Sequence, residues 1–219
     1  MNDDRTAPVP PLAALAADLR RLAAPVVPAL DPAAPYSDRV RAVANFRDEL
    51  GHRRATDAPL LARLLGVEPG EPPISLHPDA ALWWALHDGS FDPSSLIEVC
   101  EGPLVPSLRR LGVEVWSEGE LAALHALSWH AIRPETSRLA ARVESAARWH
   151  LDELQPDNAT NRPWAVHVFA DLAHRTGDPA AHSHAGTLVH NSIVALGRPD
   201  RLSAVILLDA AEWLARRAA

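Results

Sequence analysis

The sequence contains no lysine, and all 21 of its basic residues are arginine. This absence excludes a Schiff-base lysine, a pyridoxal-phosphate anchor and the lysine of a phosphate-binding P-loop. The single cysteine, Cys100, excludes an internal disulfide and a cysteine-rich metal cluster. We interpret Cys100 as a small buried hydrophobic residue, since it follows Val99 in an apolar stretch. The motifs G-x-G-x-x-G and G-x-S-x-G are also missing, which weakens a dinucleotide-binding or a hydrolase interpretation.

Long apolar runs are missing as well. None approaches the roughly 18 residues that a membrane-spanning helix needs. The N-terminal segment MNDDRTAPVPP lacks the basic-then-apolar order of a signal peptide. The formal charge of -7 argues against a nucleic-acid binder, because contacts to phosphates need a basic surface. We therefore expect a cytoplasmic protein that binds neither membranes nor nucleic acid.

Helical periodicity runs through nearly the whole chain. Near the N-terminus, leucines recur at helical spacing after Pro10-Pro11, at positions Leu12, Leu15, Leu19 and Leu22. The last segment, about Asp200 to Arg217, is apolar on almost all sides, which predicts a central helix. Only Val113 to Trp116 has the character of a strand, and a single strand has no partner. The sequence predicts an all-α, multi-helix bundle of about nine helices, consistent with helical hairpins as its units.

Two proline-rich stretches predict the domain organisation. The stretches Ala24 to Pro35 and Val67 to Pro78 are typical of linkers. They separate an N-terminal part, residues 1–75, from a main helical domain, residues 76–219. The main domain has two predicted parts. Residues 78–150 form the first part, and residues 150–219 form the second, which contains the polar-lined C-terminal helices.

Two helix boundaries in the middle of the chain are predicted from local signals. Asp92-Pro93 indicates a helix start, and the apolar pattern continues past Gly102 to about Leu111. Ser117 and Glu120 form an S-x-x-E pair, the pattern of a capping box. We therefore expect the next helix to begin at this pair.

The order of motifs in about residues 78–150 is specific. A helix over Ala80 to Gly89 is followed by Pro106, Leu108 and Gly112, and then by Trp116 and Gly119-Glu120. This order resembles the helical cap that precedes the Rossmann domain in cobalamin-binding proteins, which include methyltransferases and light-sensing regulators. The resemblance implies a helical bundle that takes part in holding a ligand.

The chain also departs from that family's pattern. The spacing from Gly112 to Trp116 is one residue longer than in the family. The Glu-His pair that contacts the upper face of cobalamin falls on Ala126-Leu127, with His125 only nearby. No Rossmann domain with an Asp-x-His-x-x-Gly motif follows. The run from Asp171 to Gly177 is similar to that motif, but it is one residue too long and lies in a helical pattern. These departures count against cobalamin as the ligand and limit the resemblance to the helical bundle.

The helix predicted over Arg162 to Arg175 carries a candidate metal site. His167, Asp171 and His174 share one polar stripe, at positions i, i+4 and i+7. This spacing can present three ligands to a divalent metal ion, as in sites built from two histidines and one carboxylate. Asp171 can equally orient an imidazole. The alternative is a solvated polar face, which any amphipathic helix has.

The helix predicted over Pro179 to Leu196 has an uncharged polar face. A helix that faces water usually carries charge, so this face indicates a contact with another protein surface or with a lined cavity. A contact between helices and a seam in a homo-oligomer are the alternatives to a ligand site. The face consists of Ser183, His184, Thr187, His190 and Asn191.

Three further features extend the candidate ligand site. His150 shares a helix face with apolar residues, where a satisfied core histidine is the alternative. The loop from Gln155 to Asn161 precedes a helix N-terminus, which attracts anions, although helix capping explains one or two of its polar residues. The seven tryptophans can stack on a planar ligand, but we expect core positions with bonded indole N–H groups. The candidate ligand-binding residues are His150, Asp157, Asn158, Asn161, Trp164, His184, Thr187, His190 and Asn191.

Three functions are compatible with these patterns. The favoured one is a helical small-molecule-binding or sensing protein with a His/Asp/Asn-lined pocket in its C-terminal half. The second is a non-catalytic helical module that binds a protein partner or a second copy of itself. The third is a metal-dependent enzyme that uses His167, Asp171 and His174. No motif identifies a reaction, and no cofactor other than a divalent metal ion is indicated.

Overall fold

The structure is a computed structural model that describes residues 10–88, 101–106, 112–132, 137–154 and 160–219. These ranges contain nine α-helices and no strand, which confirms the all-α prediction. None of the described helices combines the length and the hydropathy that a bilayer crossing requires. The helices are α1 Leu12–Ala23, α2 Tyr36–Asn45, α3 Asp57–Leu65, α4 Pro78–Asp88, α5 Val113–His130, α6 Ser137–Glu153, α7 Val166–Thr176, α8 Pro179–Val194 and α9 Arg201–Ala218.

Helix α9 lies at the centre of the bundle, as its apolar sequence predicts. Helix α1 packs along it, and α3 and α7 contact it from other sides. Residues Leu202 to Leu207 are all completely shielded from solvent. A helix with neighbours on several sides needs apolar residues on several sides, which explains why α9 lacks a simple two-faced pattern.

The N-terminal helices share the core of the later helices. Leu19 of α1 and Leu60 and Leu61 of α3 are buried in the same hydrophobic cluster as α9 and Phe169 of α7. The proline-rich stretches on either side of α2 and α3 therefore connect elements of one core in the described part of the chain.

Helices α7 and α8 form a tight hairpin. Gly177 ends α7 in the left-handed conformation, with φ of 71°, which glycine adopts without steric cost. Asp178 then caps α8, because its carboxylate accepts hydrogen bonds from the N–H groups of Ala180 and Ala181. The turn packs α7 and α8 against each other.

The structure corrects the two helix boundaries predicted in the middle of the chain. Helix α5 begins at Val113, so Val113 to Trp116 form its first turn, and the capping-box prediction is wrong. The carboxylate of Glu120 turns inward and accepts hydrogen bonds from Leu104 N–H and Val105 N–H. The predicted helix through Gly102 is also wrong over residues 101–106, which are not helical. The rest of that predicted helix, residues 92–100 and 107–111, lies outside the described ranges.

Candidate functional site

The three side chains predicted to share a metal ion point to different surroundings. His167 is completely buried, with Nε2 2.6 Å from Ser128 Oγ. Asp171 accepts hydrogen bonds from Arg175 Nε at 2.8 Å and Arg217 Nε at 3.4 Å. His174 is exposed. The stripe thus runs from the interior to the solvent. Within the described ranges, no three His, Cys, Asp or Glu side chains are arranged to hold a metal ion.

The buried carboxylate of Asp209 organises a polar cluster in the centre of the bundle. Its Oδ1 accepts from Arg63 Nε at 2.7 Å, while Oδ2 accepts from Trp129 Nε1 at 2.7 Å and is 3.0 Å from His125 Nε2. The guanidinium of Arg63 also stacks on the Trp129 ring at 3.6 Å. Burial opposes the charge on Asp209, but Arg63 and His125 outweigh it and hold the pKa below its usual value.

The contacts of His125 determine its tautomer. Ala165 N–H donates a hydrogen bond to His125 Nδ1 at 3.2 Å, so the ring proton is on Nε2 and is donated to Asp209. Burial lowers the pKa of His125 more than Asp209 raises it, which keeps the ring neutral at neutral pH. Ala165 has a φ of 57°, the only positive φ among the described non-glycine residues. The hydrogen bond thus coincides with a backbone conformation that costs alanine about 1 kcal/mol.

His167 lies directly against His125 in the same cluster. The centroids of the two rings are 4.2 Å apart. Ser128 Oγ donates its one proton to the carbonyl of His125 at 2.6 Å, so His167 Nε2 donates to Ser128. His167 Nδ1 is buried without a hydrogen-bond partner. Burial first, and then electrostatic repulsion from His125 and Arg63 on protonation, hold the pKa of His167 well below its usual value.

Two of the predicted ligand residues, His150 and His184, belong to a second buried group. His150 Nε2 is 3.6 Å from Glu120 Oε1, and the ring of His184 packs on Phe169 with centroids 4.3 Å apart. Both nitrogens of His150 and Nε2 of His184 are buried without hydrogen-bond partners. Burial, together with repulsion from His150, lowers the pKa of His184 to about 4.

The uncharged polar face of α8 is divided between the interior and the surface. His184 is buried, whereas His190 is exposed and Thr187 is half-buried. The Thr187 hydroxyl donates to the carbonyl of Ser183 at 3.0 Å. Asn191 lines a cleft of about 550 Å³ together with Asn161, so the structure brings these two predicted residues together. Asp157 and Asn158 lie outside the described residues.

A cavity of about 500 Å³ with a mainly apolar lining lies between α4, α5 and the segment that precedes α3. We call it the tryptophan pocket. Its apolar lining includes Val105, Pro106, Val115, Trp116, Ala122 and Trp164. Its polar lining includes Arg54, Thr56, His77, Asp79 and Glu118.

The structure confirms the prediction of core positions for every tryptophan except Trp149, which is half-buried. Six of the seven are buried, and five of these donate the indole N–H to an acceptor in the protein. Trp164 is 1% exposed, and its Nε1 has no hydrogen-bond partner. It lines the tryptophan pocket and contacts His125 on its other side, with ring centroids 5.5 Å apart. Trp164 therefore connects the pocket with the central polar cluster.

Sequence reasoning named Trp164 but missed most of the residues around it. The resemblance in residues 78–150 included Trp116 and Gly119, which both line the pocket. Arg54, Thr56 and Asp79 come from distant or unremarkable positions, and no local pattern connects them. Arg63 and Asp209 were missed for the same reason. They are 146 residues apart in the chain, and no local sequence pattern indicates such an ion pair.

Comparison of the chain with models of protein families, with curated protein sequences and with solved structures finds no match. The geometry of the chain's own residues therefore carries the functional argument.

Proposed function

We propose that this protein binds a small organic molecule in the tryptophan pocket. The observation that supports the proposal best is the combination of the pocket's volume with its mainly apolar lining. A volume of about 500 Å³ is within the range of about 300–1,000 Å³ that small-molecule sites occupy. Such sites combine an apolar wall with a few polar groups that orient the ligand, and this pocket has both.

The position of the pocket also supports binding. Helices α4 and α5, which supply half of its lining residues, belong to the segment that resembles the cap of cobalamin-binding proteins. Ala126 and Leu127, at the positions of that family's cobalamin-contacting pair, are completely buried in the core. They are therefore unavailable to any ligand, and we propose a ligand other than cobalamin.

A sensing role has a physical route in this arrangement. Trp164 separates the pocket from His125, and the next residue, Ala165, donates its N–H to His125 just before α7 begins. A ligand that shifts the Trp164 ring would act on this hydrogen bond and on the start of α7. The unpartnered indole N–H makes the position of Trp164 less restrained than that of the other buried tryptophans.

A catalytic role for Ser128 and His167 has less support. A cavity of about 190 Å³ touches Ser128 between α5, α6, α7 and α9. However, the Ser128 proton is already donated to the carbonyl of His125, and in the described residues no carboxylate bonds to His167 Nδ1. A serine nucleophile needs a base that is free to take its proton and a group that orients the base.

The proposal is tested by filling the pocket. Gly119 lies in α5, where an added Cβ meets no atom within 4 Å, so the Gly119→Leu variant is expected to fold and to occupy pocket volume. Gly186→Leu is the matched control, because Gly186 is a helical and exposed glycine of α8 with equally open surroundings.

Indole is a suitable neutral probe, with binding followed by isothermal titration calorimetry and by the shift in melting temperature. We expect indole to bind the wild type and Gly186→Leu, and to lose most of its affinity for Gly119→Leu. Equal binding to all three proteins would show that the probe occupies another site and would refute the proposal.

A further inference from the structure

The polar lining of the tryptophan pocket carries an excess of negative charge. Asp79 and Glu118 contribute two carboxylates, and Arg54 contributes the only guanidinium among the described lining residues. Arg54 Nη1 donates to Asp48 Oδ2 at 2.9 Å, and Asp48 is not part of the pocket lining. The separation between Arg54 Nε and Glu118 Oε1 is 4.0 Å, the long limit of an ion pair. The charge of Arg54 is thus largely neutralised by Asp48.

Among the described residues, Asp79 has no arginine as a counter-ion. It is the second residue of α4, where the helix dipole and backbone N–H groups favour a negative charge. Burial nevertheless outweighs these effects and raises the pKa of Asp79. In the described ranges, no arginine forms an ion pair with Asp79, and the exposed His77 is the one basic group whose charge lowers its pKa. Since the chain has no lysine, none of its side chains can supply an ammonium group here.

We propose that the ligand of the tryptophan pocket is an organic cation, in which an apolar or aromatic body carries a protonated amine. The inference rests on the proposed function. The body packs against Trp116, Trp164 and Val105, and the ammonium group pairs with Asp79, in the negative field of Glu118. Aromatic faces attract cations, and a cation restores the favourable interaction that the desolvated carboxylate lacks.

The test compares three indole derivatives that differ in charge: tryptamine, a cation; indole-3-ethanol, which is neutral; and indole-3-propionate, an anion. Each is titrated calorimetrically at pH 7.5 into the full-length wild type. We expect tryptamine to bind about tenfold more tightly than indole-3-ethanol, the ratio that one partly buried charge pair provides. Indole-3-propionate is expected to bind most weakly.

Asp79→Asn tests the source of this preference. The variant is expected to lose most of the preference for tryptamine while it keeps its affinity for indole-3-ethanol within about twofold, because the apolar wall is unchanged. Asp18→Asn, which removes an exposed carboxylate on α1, is the matched control and is expected to behave like the wild type.

The outcomes separate the two proposals. If indole-3-ethanol or indole-3-propionate binds as tightly as tryptamine, and Gly119→Leu abolishes that binding, the pocket is a ligand site but the cation inference is wrong. If Asp79→Asn retains the full preference for tryptamine, the role of Asp79 is refuted. If no probe binds the wild type, or all bind Gly119→Leu equally well, the proposed function itself fails.

Discussion

The imidazole of His125 and the carboxylate of Asp209 are 84 residues apart in the chain and 3.0 Å apart in the structure, both completely buried. The same carboxylate accepts from Arg63 of α3 and Trp129 of α5, and His125 in turn accepts from Ala165 at the start of α7. One side chain of α9 therefore holds together three other helices around the pocket wall formed by Trp164.

Removal of the Asp209 charge is expected to destabilise the protein strongly. In Asp209→Asn, the guanidinium of Arg63 remains only 12% exposed and loses its buried counter-ion. We expect a loss of about 3–5 kcal/mol in the free energy of unfolding, the usual cost of breaking a buried ion pair. Urea unfolding followed by circular dichroism measures this change.

The control for that variant is Glu212→Gln. Glu212 is 3.8 Å from Arg63 but is 28% exposed, so the loss is expected to be below about 1 kcal/mol. Equal losses in the two variants would contradict the central role of Asp209.

The stability is expected to fall as the pH decreases below neutral, partly through His184. Its pKa is about 4 in the folded protein against 6.5 for a free histidine, because the folded state resists protonation. This contribution is fully present above pH 6.5 and is lost as the pH falls towards 4, with a total of about 3 kcal/mol. His125 and His167 act in the same direction, since their pKa values are lowered as well.

The His184 contribution is isolated by comparing His184→Leu with the wild type from pH 7.5 to pH 4.5 in urea unfolding. The variant is expected to show a shallower decline in the free energy of unfolding. His190→Leu, which changes an exposed histidine of the same helix, should keep the decline of the wild type. An unchanged decline in His184→Leu would contradict the assignment.

The two outer residues of the predicted metal site are expected to behave differently when they are replaced. His167→Ala removes a completely buried ring that contacts His125 and Trp213, which should cost about 2–4 kcal/mol in urea unfolding. His174→Ala changes an exposed residue and should alter the stability by less than about 0.5 kcal/mol.

Elemental analysis of the purified variants for zinc, iron, manganese, nickel and cobalt extends this comparison. A metal that is bound at stoichiometric level in the wild type and lost in both variants would contradict the observed separation of the two side chains and revive the metal-dependent enzyme hypothesis.

Glu120→Gln is expected to affect both stability and ligand binding. The carboxylate accepts from two neighbouring N–H groups, whereas an amide offers a single oxygen and leaves one N–H unpaired. We expect a loss of about 1–3 kcal/mol and weaker binding of indole, because Val105 lines the tryptophan pocket. Glu153→Gln, at an exposed position of α6, should change neither property.

Much of the fold was predictable from the sequence, because helical periodicity and capping act over a few residues. The central position of α9 and the buried tryptophans follow from apolar residues at helical spacing. The start of α5 was not predictable in the same way. Ser117 and Glu120 have the spacing of a capping box, but distant N–H groups at Leu104 and Val105 use the Glu120 carboxylate instead.

The candidate site was predictable only in part. The sequence singled out Trp164, His150 and His184 by residue type, and all three are buried with unpartnered polar atoms. The sequence also predicted His167 as a metal ligand, because helical spacing indicates which residues share one face of a helix. Helical spacing does not indicate that His167, at one end of this face, lies inside the bundle while His174, at the other end, lies in solvent.

The sequence alone determined the class of the fold, the absence of lysine chemistry and of an internal disulfide, and the abundance of polar residues that need buried partners. These properties depend on composition and on local periodicity. Only the tertiary structure decided that Asp209 pairs with Arg63 and His125, and that Asp79 and Trp164 line the same cavity. Such partners are far apart in the chain, so their meeting depends on how the helices pack and not on any local pattern.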